Sequence, residues 1–417
     1  MEHILTQEER ERYLLIQSCC AGEVTNAIVA LRLGITTRQV RRVKRAVETY
    51  GAQGVVHGNR GQTSPHALDT KTRAQIVKFL KKPLHKDFGP TFAQEKLAQK
   101  NIILSDEAVR TLMVAEKLWS PHARRHAGVH REWRPRMGRY GELVQFDGSY
   151  HNWFEGRDAN TEQCLLAAID DATGRITYAV FEDNEGVHAV FRFWWTYIDL
   201  HGLPVALYLD KFSTYKVNHA HAVDNVDLMT QFQRVMHDLG IRLIHAHSPE
   251  AKGRVERLFG TLQDRLVKEM RLAPVSDRVS ANVYLTQTYI ADHNARFSVS
   301  AREQGDAHRP CTTELRARLP ALFSIHSTRR VHNDYTIQFK NNWYQLGATQ
   351  HTTVFKGDVV TIEERLDGSL HLRLSDTYLT YTLLPERPTR ASTNVTALTR
   401  EKPHWKPPPN HPWRGKF

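Results

Sequence analysis

The sequence predicts a multidomain chain with all-α helix-turn-helix units at the front, an α/β core in the centre and a small β-barrel toward the end. Three observations predict it. Residues 1–120 carry helix-start signals and no sustained strand alternation, residues 141–272 interleave apolar strand runs with helical periods, and residues 327–384 return to short strands divided by Asn, Gly and Asp turns. At 417 residues the chain has room for several domains of about 100–200 residues each.

The expected organisation is 1–55 and 56–120 as two helix-turn-helix units, 121–140 as a basic linker, 141–275 as the α/β core, 276–326 as a helical extension, 327–385 as an SH3-like β-barrel and 386–417 as a basic Pro/Trp-rich tail.

Composition narrows the class. Hydrophobic residues make up 41% and charged residues 24%, and the longest apolar runs, such as Cys164–Ile169, fall far short of the ~20 residues that span a bilayer. The first ten residues lack a basic stretch followed by an apolar one, so the expected location is the cytoplasm. Four cysteines, Cys19 and Cys20 adjacent and Cys164 and Cys311 isolated, fit neither a disulfide framework nor a zinc ribbon. The net charge of +12 is unevenly divided: residues 1–140 hold 25 Lys+Arg against 13 Asp+Glu, residues 141–385 hold 25 against 30, and residues 386–417 hold 7 against 2. Basic ends suit a polyanion, and an acidic middle suits metal-binding carboxylates.

In chain order, Thr6 with Glu9 predicts a capping box ahead of a first helix. Thr25–Leu33, then Gly34-Ile-Thr, then Thr37–Tyr50 has helix-turn-helix spacing. Val40, Val43 and Val47 should pack inward, leaving Arg38, Gln39, Arg41, Arg42, Lys44 and Arg45 to face phosphates and base edges; the plainer reading is a helical bundle with a solvated basic face. Helices around Ile76–Leu80, Gly89–Leu97 and Ser105–Met113 predict the second unit. From Ser120 to Tyr140 six arginines, among them Arg124, Arg125, Arg131, Arg134 and Arg136, alternate with Trp133 and Tyr140, which suits a strand tracking a DNA backbone. His122, His126 and His130 share helical spacing, yet no fourth metal ligand is placed.

The core reads as strands at Leu143–Asp147, Cys164–Asp170 and Ile176–Glu182, a helix at Val187–Leu200, a strand at Val205–Asp210, a helix at Val226–Leu239, a strand at Ile241–His245 and a long helix at Gly253–Met270. The order β-β-β-α-β-α-β-α is that of the ribonuclease H-like fold. A further helix follows at 279–296, and short strands are expected at Tyr335–Phe339, Trp343–Leu346, Thr352–Phe355, Val359–Ile362 and Leu370–Leu374. The proline-rich tail is expected to be extended and to order on a partner.

That topology would bring three acids together: Asp147 ending the first strand, Asp210 ending the fourth and Glu256 early in the long helix. Three carboxylates at one point repel unless divalent cations neutralise them, and two Mg²⁺ ions about 3.5–4 Å apart suit phosphoryl transfer, with Mn²⁺ expected to substitute. Asp170 and Asp171 also end a strand, but choosing Asp170 leaves one strand rather than a hairpin before the first helix; both have an alternative use as acceptors in the turn with Thr173 and Gly174. Taken singly, each chosen acid is more simply a solvated surface carboxylate. Lys211, Lys252 and Arg254 or Arg257 are candidates for holding phosphate or stabilising charge, against the plainer role of surface ion pairing. His219, His221, His245 and His247 read as DNA contacts or as solvated loop histidines.

Ser248-Pro-Glu-Ala-Lys-Gly-Arg-Val-Glu-Arg resembles the Ser-Pro-x-x-x-Gly-x-x-Glu-Arg signature of the retroviral-integrase-like DDE transposases of bacterial insertion sequences, closest to the ISNCY type. Gln145-Phe-Asp147-Gly is similar to the strand of the first Asp, Tyr208-Leu-Asp210 to that of the second, and His293-Asn-Ala-Arg-Phe to a segment beyond the catalytic helix. The sequence departs from retroviral integrases in following Asp210 with Lys211-Phe-Ser rather than Asn-Gly, and in having no His-His-Cys-Cys zinc module. The resemblance implies Mg²⁺ ligation by Asp147, Asp210 and Glu256, water as nucleophile for donor-end cleavage and the freed 3′-hydroxyl as nucleophile for strand transfer. It implies double-stranded DNA partners, both transposon ends and target, and a nucleoid-associated place in a bacterium. Pairing two ends requires a homodimer or larger assembly. A catalytically silent DNA-binding descendant and a metal-dependent nuclease without strand transfer stand as alternatives.

Overall fold

The computed structural model describes residues 4–60, 68–121, 135–158, 163–209, 225–245 and 249–386. Arg124, Arg125, Arg131, Arg134, the histidines at 122, 126, 130, 219, 221 and 247, Asp210, Lys211 and the tail from 387 lie outside the described residues. The chain divides into two compact units, Met1–Pro121 and His122–Phe417. Among the described residues no helix is long and apolar enough to cross a membrane.

The first unit is helical. Helix α1 (Gln7–Cys20) opens with the expected capping box, Glu9 N–H donating to Thr6 Oγ1 and Thr6 N–H to Glu9 Oε2 at 2.9 Å. Helix α2 (Asn26–Leu33) ends at Gly34, whose φ of +63° is the left-handed conformation that stops a helix cheaply only at glycine, and α3 (Thr37–Tyr50) follows two residues later. Ile16, Cys19, Val29, Ala30, Val40, Val47 and Val55 form their shared core, with Val43 packed against it. Helices α4 (Thr70–Leu80), α5 (Pro90–Ala98) and α6 (Asp106–Ala115) follow, capped by Asp69, entered through Pro90 at the first turn, and capped by Ser105. His85 lies between Phe79 and Phe88, its ring centroid 4.2 and 4.7 Å from theirs, with Nδ1 2.7 Å from the Phe79 carbonyl.

The second unit is built on a five-stranded mixed sheet of order β3-β2-β1-β4-β5. Its strands are β1 (Leu143–His151), β2 (Gln163–Asp170), β3 (Ile176–Glu182), β4 (Ala206–Leu209) and β5 (Arg242–His245). β1, β2 and β3 form an antiparallel meander, and β4 and β5 add in parallel to β1. The connecting helices α7 (Val187–His201), α8 (Asn225–Asp238) and α9 (Pro249–Leu272) fall in the predicted order. β2 is buried along its whole length because both faces are covered. Cys164, Leu166 and Ala168 join Val144 and Phe146 in a core with α7 and α8, while Leu165, Ala167 and Ile169 join a second core with α9. The first core is aromatic, with Phe146, Phe193, Trp194 and Tyr197 in tilted or edge contact.

Beyond α9, the expected helix is interrupted: α10 (Arg278–Tyr284) and α11 (Ile290–Phe297) are joined by a π-helical turn, Leu285–Tyr289. Two asparagines on this segment serve the free edge of β3. Asn294 accepts the Ile176 N–H at 2.8 Å and donates to the Ile176 carbonyl at 2.9 Å, and Asn282 does the same for Phe181 at 2.7 and 3.1 Å. Helix α12 (Thr313–Leu322) places Leu319, Leu322 and Phe323 in the core of α7 and α8.

The C-terminal strands, expected as an SH3-like β-barrel, do not join into one closed sheet among the described residues. Those described pair as two sheets, β11-β10-β9-β6 and β12-β8-β7, over one core that includes Ile337, Tyr344, Ile362 and Leu372. β6 (Ile325–Arg330), β7 (Thr336–Phe339), β8 (Asn342–Leu346), β9 (Val359–Glu364), β10 (Leu370–Leu374), β11 (Thr377–Leu379) and β12 (Tyr381–Leu384) are the strands. Thr352–Phe355, expected as a strand, is irregular, since Phe355 N–H turns to the Asp358 carboxylate instead of a neighbouring strand. Gln231 of α8 holds both the N–H and the carbonyl of His326, at 3.0 and 2.7 Å, tying β6 to the core.

Candidate active site

The alternation of β1 decides which side chains reach α9. Val144 and Phe146 point into the core of α7 and α8, so Gln145, Asp147 and Ser149 share the opposite face. α9 is tied to that face twice: Val255 N–H donates to Gln145 Oε1 at 3.2 Å, and Gln263 Nε2 donates to Ser149 Oγ at 3.1 Å. Asp147 lies between these ties, half-buried and paired in register with Ala167 of β2. On α9, Val255, Leu258, Phe259 and Leu262 are buried and Glu256 is exposed, so the carboxylate leaves the helix at its rim, one residue from the first tie. Glu256 also lines a shallow groove of about 660 Å³ with Arg257, Gly260, Arg265 and Phe297.

Asp170 and Asp171 have structural work. Asp170, fully buried, accepts the Thr173 hydroxyl at 2.6 Å, the Thr173 N–H at 2.8 Å and the Gly141 N–H at 2.9 Å. Burial pushes its carboxyl above the usual range, against those hydrogen bonds, which pull it down. Asp171, also fully buried, accepts Arg254 at 2.6 Å, Gln145 Nε2 at 2.8 Å and the Met137 N–H at 2.9 Å. Arg254 is therefore turned into the protein. Arg257 is exposed and donates to the Gly253 carbonyl at 2.7 Å.

One acid escaped the sequence reading. Glu185, after β3, places a carboxylate oxygen 2.5 Å from where a Cβ on Gly148 would stand, so any larger residue after Asp147 would push that carboxylate aside. Its signal was the run Glu182-Asp-Asn-Glu185-Gly, where the acid that ends the strand is followed by two more. Burial, with Glu185 and Asp147 adding to it, raises the Cys164 thiol pKa.

Carboxylate oxygens are the donors a hard divalent cation takes. Among the described residues no group of three His, Cys, Asp or Glu is assembled for one, and Asp210, the expected third ligand, lies outside them. Asp147 and Glu256 fit such an ion in donor type and in being reachable from solvent, one half-buried and the other exposed.

No protein-family model matches the chain. It is 32% identical, over 97% of its length and 89% of the relative's, to the protein of Sinorhizobium fredii strain NGR234 named transposase y4bF. The chain belongs to the transposase family. A second relative, the transposase for insertion sequence IS1202 of Streptococcus pneumoniae, is 28% identical over 97% of this chain and 93% of its own. A chain of the simian T-cell lymphotropic virus intasome, solved in complex with PP2A regulatory subunit B56 gamma, aligns at 15% identity and TM-score 0.31 over 75% of this chain and all of that one. The HTLV-2 integrase catalytic core in complex with magnesium (dimeric form) aligns at 17% identity and TM-score 0.27 over 37% of this chain and 92% of that one. Overlaps that loose carry no weight here; the curated relatives make the chain a transposase, an enzyme of the polynucleotidyl transferase type.

In this transposase the expected DNA-facing side chains of α3 separate into two groups. Arg38, Arg41, Arg42 and Arg45 are exposed. Gln39 instead completes a capping box, its Oε1 accepting the Thr36 N–H at 2.8 Å while its own N–H donates to Thr36 Oγ1 at 3.2 Å. Lys44 donates to the Cys19 carbonyl at 3.2 Å, near the C-terminal end of α1. Arg136 reaches the Ala172 carbonyl at 3.4 Å.

Proposed function

We propose that this transposase is a DDE enzyme whose residues 141–275 form a ribonuclease H-like catalytic core. Asp147, Asp210 and Glu256 would hold two Mg²⁺ ions, with Mn²⁺ able to substitute. The observation that carries the reading is the pair of ties from α9 to β1 on either side of Asp147, with Glu256 emerging beside the first. Bound there, divalent ions would neutralise the carboxylates and stabilise charge developing on phosphate oxygens. Asp147 orients from the strand and Glu256 from the helix, so the substrate backbone is gripped between two rigid elements. The residues' roles in donor-end cleavage by water, then strand transfer by the freed 3′-hydroxyl, follow the resemblance described above.

Terminal inverted repeats would be recognised by residues 1–120, whose exposed arginines on α3 suit phosphate and base-edge contacts, and by the basic linker. Residues 327–385 and the basic tail would bind DNA or hold partner subunits. Two DNA ends, one active site each, call for a homodimer or larger assembly at the nucleoid.

The test is strand transfer: full-length protein with Mg²⁺ or Mn²⁺, a labelled duplex bearing the element's end and a plasmid target, beside Glu256→Gln and Asp147→Asn. Joined products that vanish in both variants support the reading. Cleavage without joining favours a nuclease, and specific end binding without cleavage a silent DNA-binding descendant.

A further inference from the structure

We propose that Asp171, Arg254 and Gln145 are positioning residues for the carboxylate site, setting the rotation and register of α9 on β1 and hence the direction in which Glu256 leaves the helix. The proposal rests on the reading of Asp147 and Glu256 given above.

Two consecutive residues of α9 are held just before Glu256. The Arg254 guanidinium is 2.6 Å from Asp171 Oδ1, and the next backbone N–H, that of Val255, donates to Gln145 Oε1. Gln145 closes the circuit by donating to the same Asp171 oxygen at 2.8 Å, two residues before Asp147 on the strand. Asp171 and Gln145 are fully buried and the Arg254 side chain is 9% exposed, so water does not compete for these bonds. Successive helix residues point about 100° apart at 3.6 per turn, so fixing the azimuth of 254 and 255 leaves Glu256 one direction, outward at the rim. A buried ion pair is a poor choice for cohesion alone, since apolar side chains of the same volume often stabilise as well or better. It adds angular definition that methyl groups lack.

Asp171 Oδ2 also accepts the Met137 N–H at 2.9 Å, so the end of the basic linker reaches the same carboxylate. Linker, strand and helix converge on one side chain of the hairpin between β2 and β3.

The test compares full-length Gln145→Met, Asp171→Asn, Arg254→Ala and Arg254→Lys with Asp147→Asn and Glu256→Gln. Four quantities are measured: cleavage rate at saturating labelled end duplex, affinity for that duplex, Mn²⁺ affinity of DNA-free protein by calorimetry, and thermal stability. The expected result is a fall of about 10–100-fold in saturating rate and in Mn²⁺ affinity for Gln145→Met, Asp171→Asn and Arg254→Ala, as for groups that orient metal ligands. Duplex affinity stays at the wild-type value, and Arg254→Lys recovers most of what Arg254→Ala loses. Wild-type rate and Mn²⁺ affinity in Gln145→Met overturn the proposal, as does a loss of thermal stability with Mn²⁺ affinity unchanged. Where the charged-pair variants do not fold, Gln145→Met decides alone, because it leaves no new charge unpaired. If Asp147→Asn and Glu256→Gln themselves keep full rate and Mn²⁺ affinity, the carboxylate reading fails first and takes this proposal with it. If those two lose both while the other variants keep them, only the positioning role is lost.

Discussion

Gln263 Nε2 stands 3.1 Å from Ser149 Oγ, eight residues along α9 from Val255 and four along β1 from Gln145. Eight helical residues rise ~12 Å and four strand residues ~13 Å, so helix and strand advance in step across the stretch that contains Asp147. This outer tie is partly exposed, and its loss should cost only about 0.5–1.5 kcal/mol. Gln263→Ala is expected to shift the urea midpoint slightly and leave end cleavage near the wild-type rate, because the inner tie at Gln145 persists.

Asp147→Asn and Glu256→Gln should separate chemistry from folding. Glu256 is exposed and Asp147 half-buried, so amides of the same shape should fold with nearly wild-type melting temperatures while Mg²⁺-dependent cleavage disappears. Mobility shift with the end duplex is expected to be unchanged or stronger, since a negative charge has been removed near the phosphates.

The sequence made the central order legible because each element there carries its own signal, a short apolar run or alternation for strands and a 3.6 period for helices, and all eight appear in the predicted order. The strand at Thr352–Phe355 was expected wrongly from β-branched composition, which says nothing of whether a partner edge is available. β6 and β12 were not separated out for the converse reason, their pairing being decided by distant residues, while β11 is a three-residue strand that turns straight back on β10. Position in the site was partly legible. The motif spacing places Asp147 and Glu256 on facing elements, but the hub at Asp171 is a contact 83 residues apart in sequence with Arg254, which no local pattern encodes.

The recognition surface proposed for α3 makes a different prediction for each kind of side chain. Arg41→Ala should weaken end binding and lower the salt-dependence slope by about 1 without moving the melting curve. Gln39→Ala removes half of a helix cap, and is expected to destabilise the first unit by about 0.5–1 kcal/mol whether or not DNA is present. Thermal melts beside salt-titrated binding distinguish the two.

Acid should loosen the second unit through His293. Burial, with Arg265 assisting, lowers its pKa from 6.5 to about 4, and its Nδ1 has no hydrogen-bond partner among the described residues. The unfolded chain therefore binds a proton first as pH falls. Stability is full above about pH 6.5 and drains by up to about 1.4 kcal/mol per pH unit toward pH 4, levelling below it. Urea midpoints between pH 7 and 4 for wild type and His293→Gln measure this; the variant is expected to show the shallower slope.

Removing either asparagine that serves β3 should be costly despite its small size. Asn294→Ala leaves the N–H and the carbonyl of Ile176 without their side-chain partner in a buried position, a loss of about 1–3 kcal/mol by thermal or urea unfolding. Asn282→Ala, partly exposed, should cost less.

Those two amides also govern how copies of this protein can meet. β3 is an outer strand of the sheet, and its free side is clipped at Ile176 and Phe181, five residues apart, by side chains of the following helical segment. An incoming strand from another molecule would have to displace both clips to pair along the whole of this edge. Crowded copies of the protein thus run less risk of fusing sheet to sheet at this edge into fibre-like aggregates.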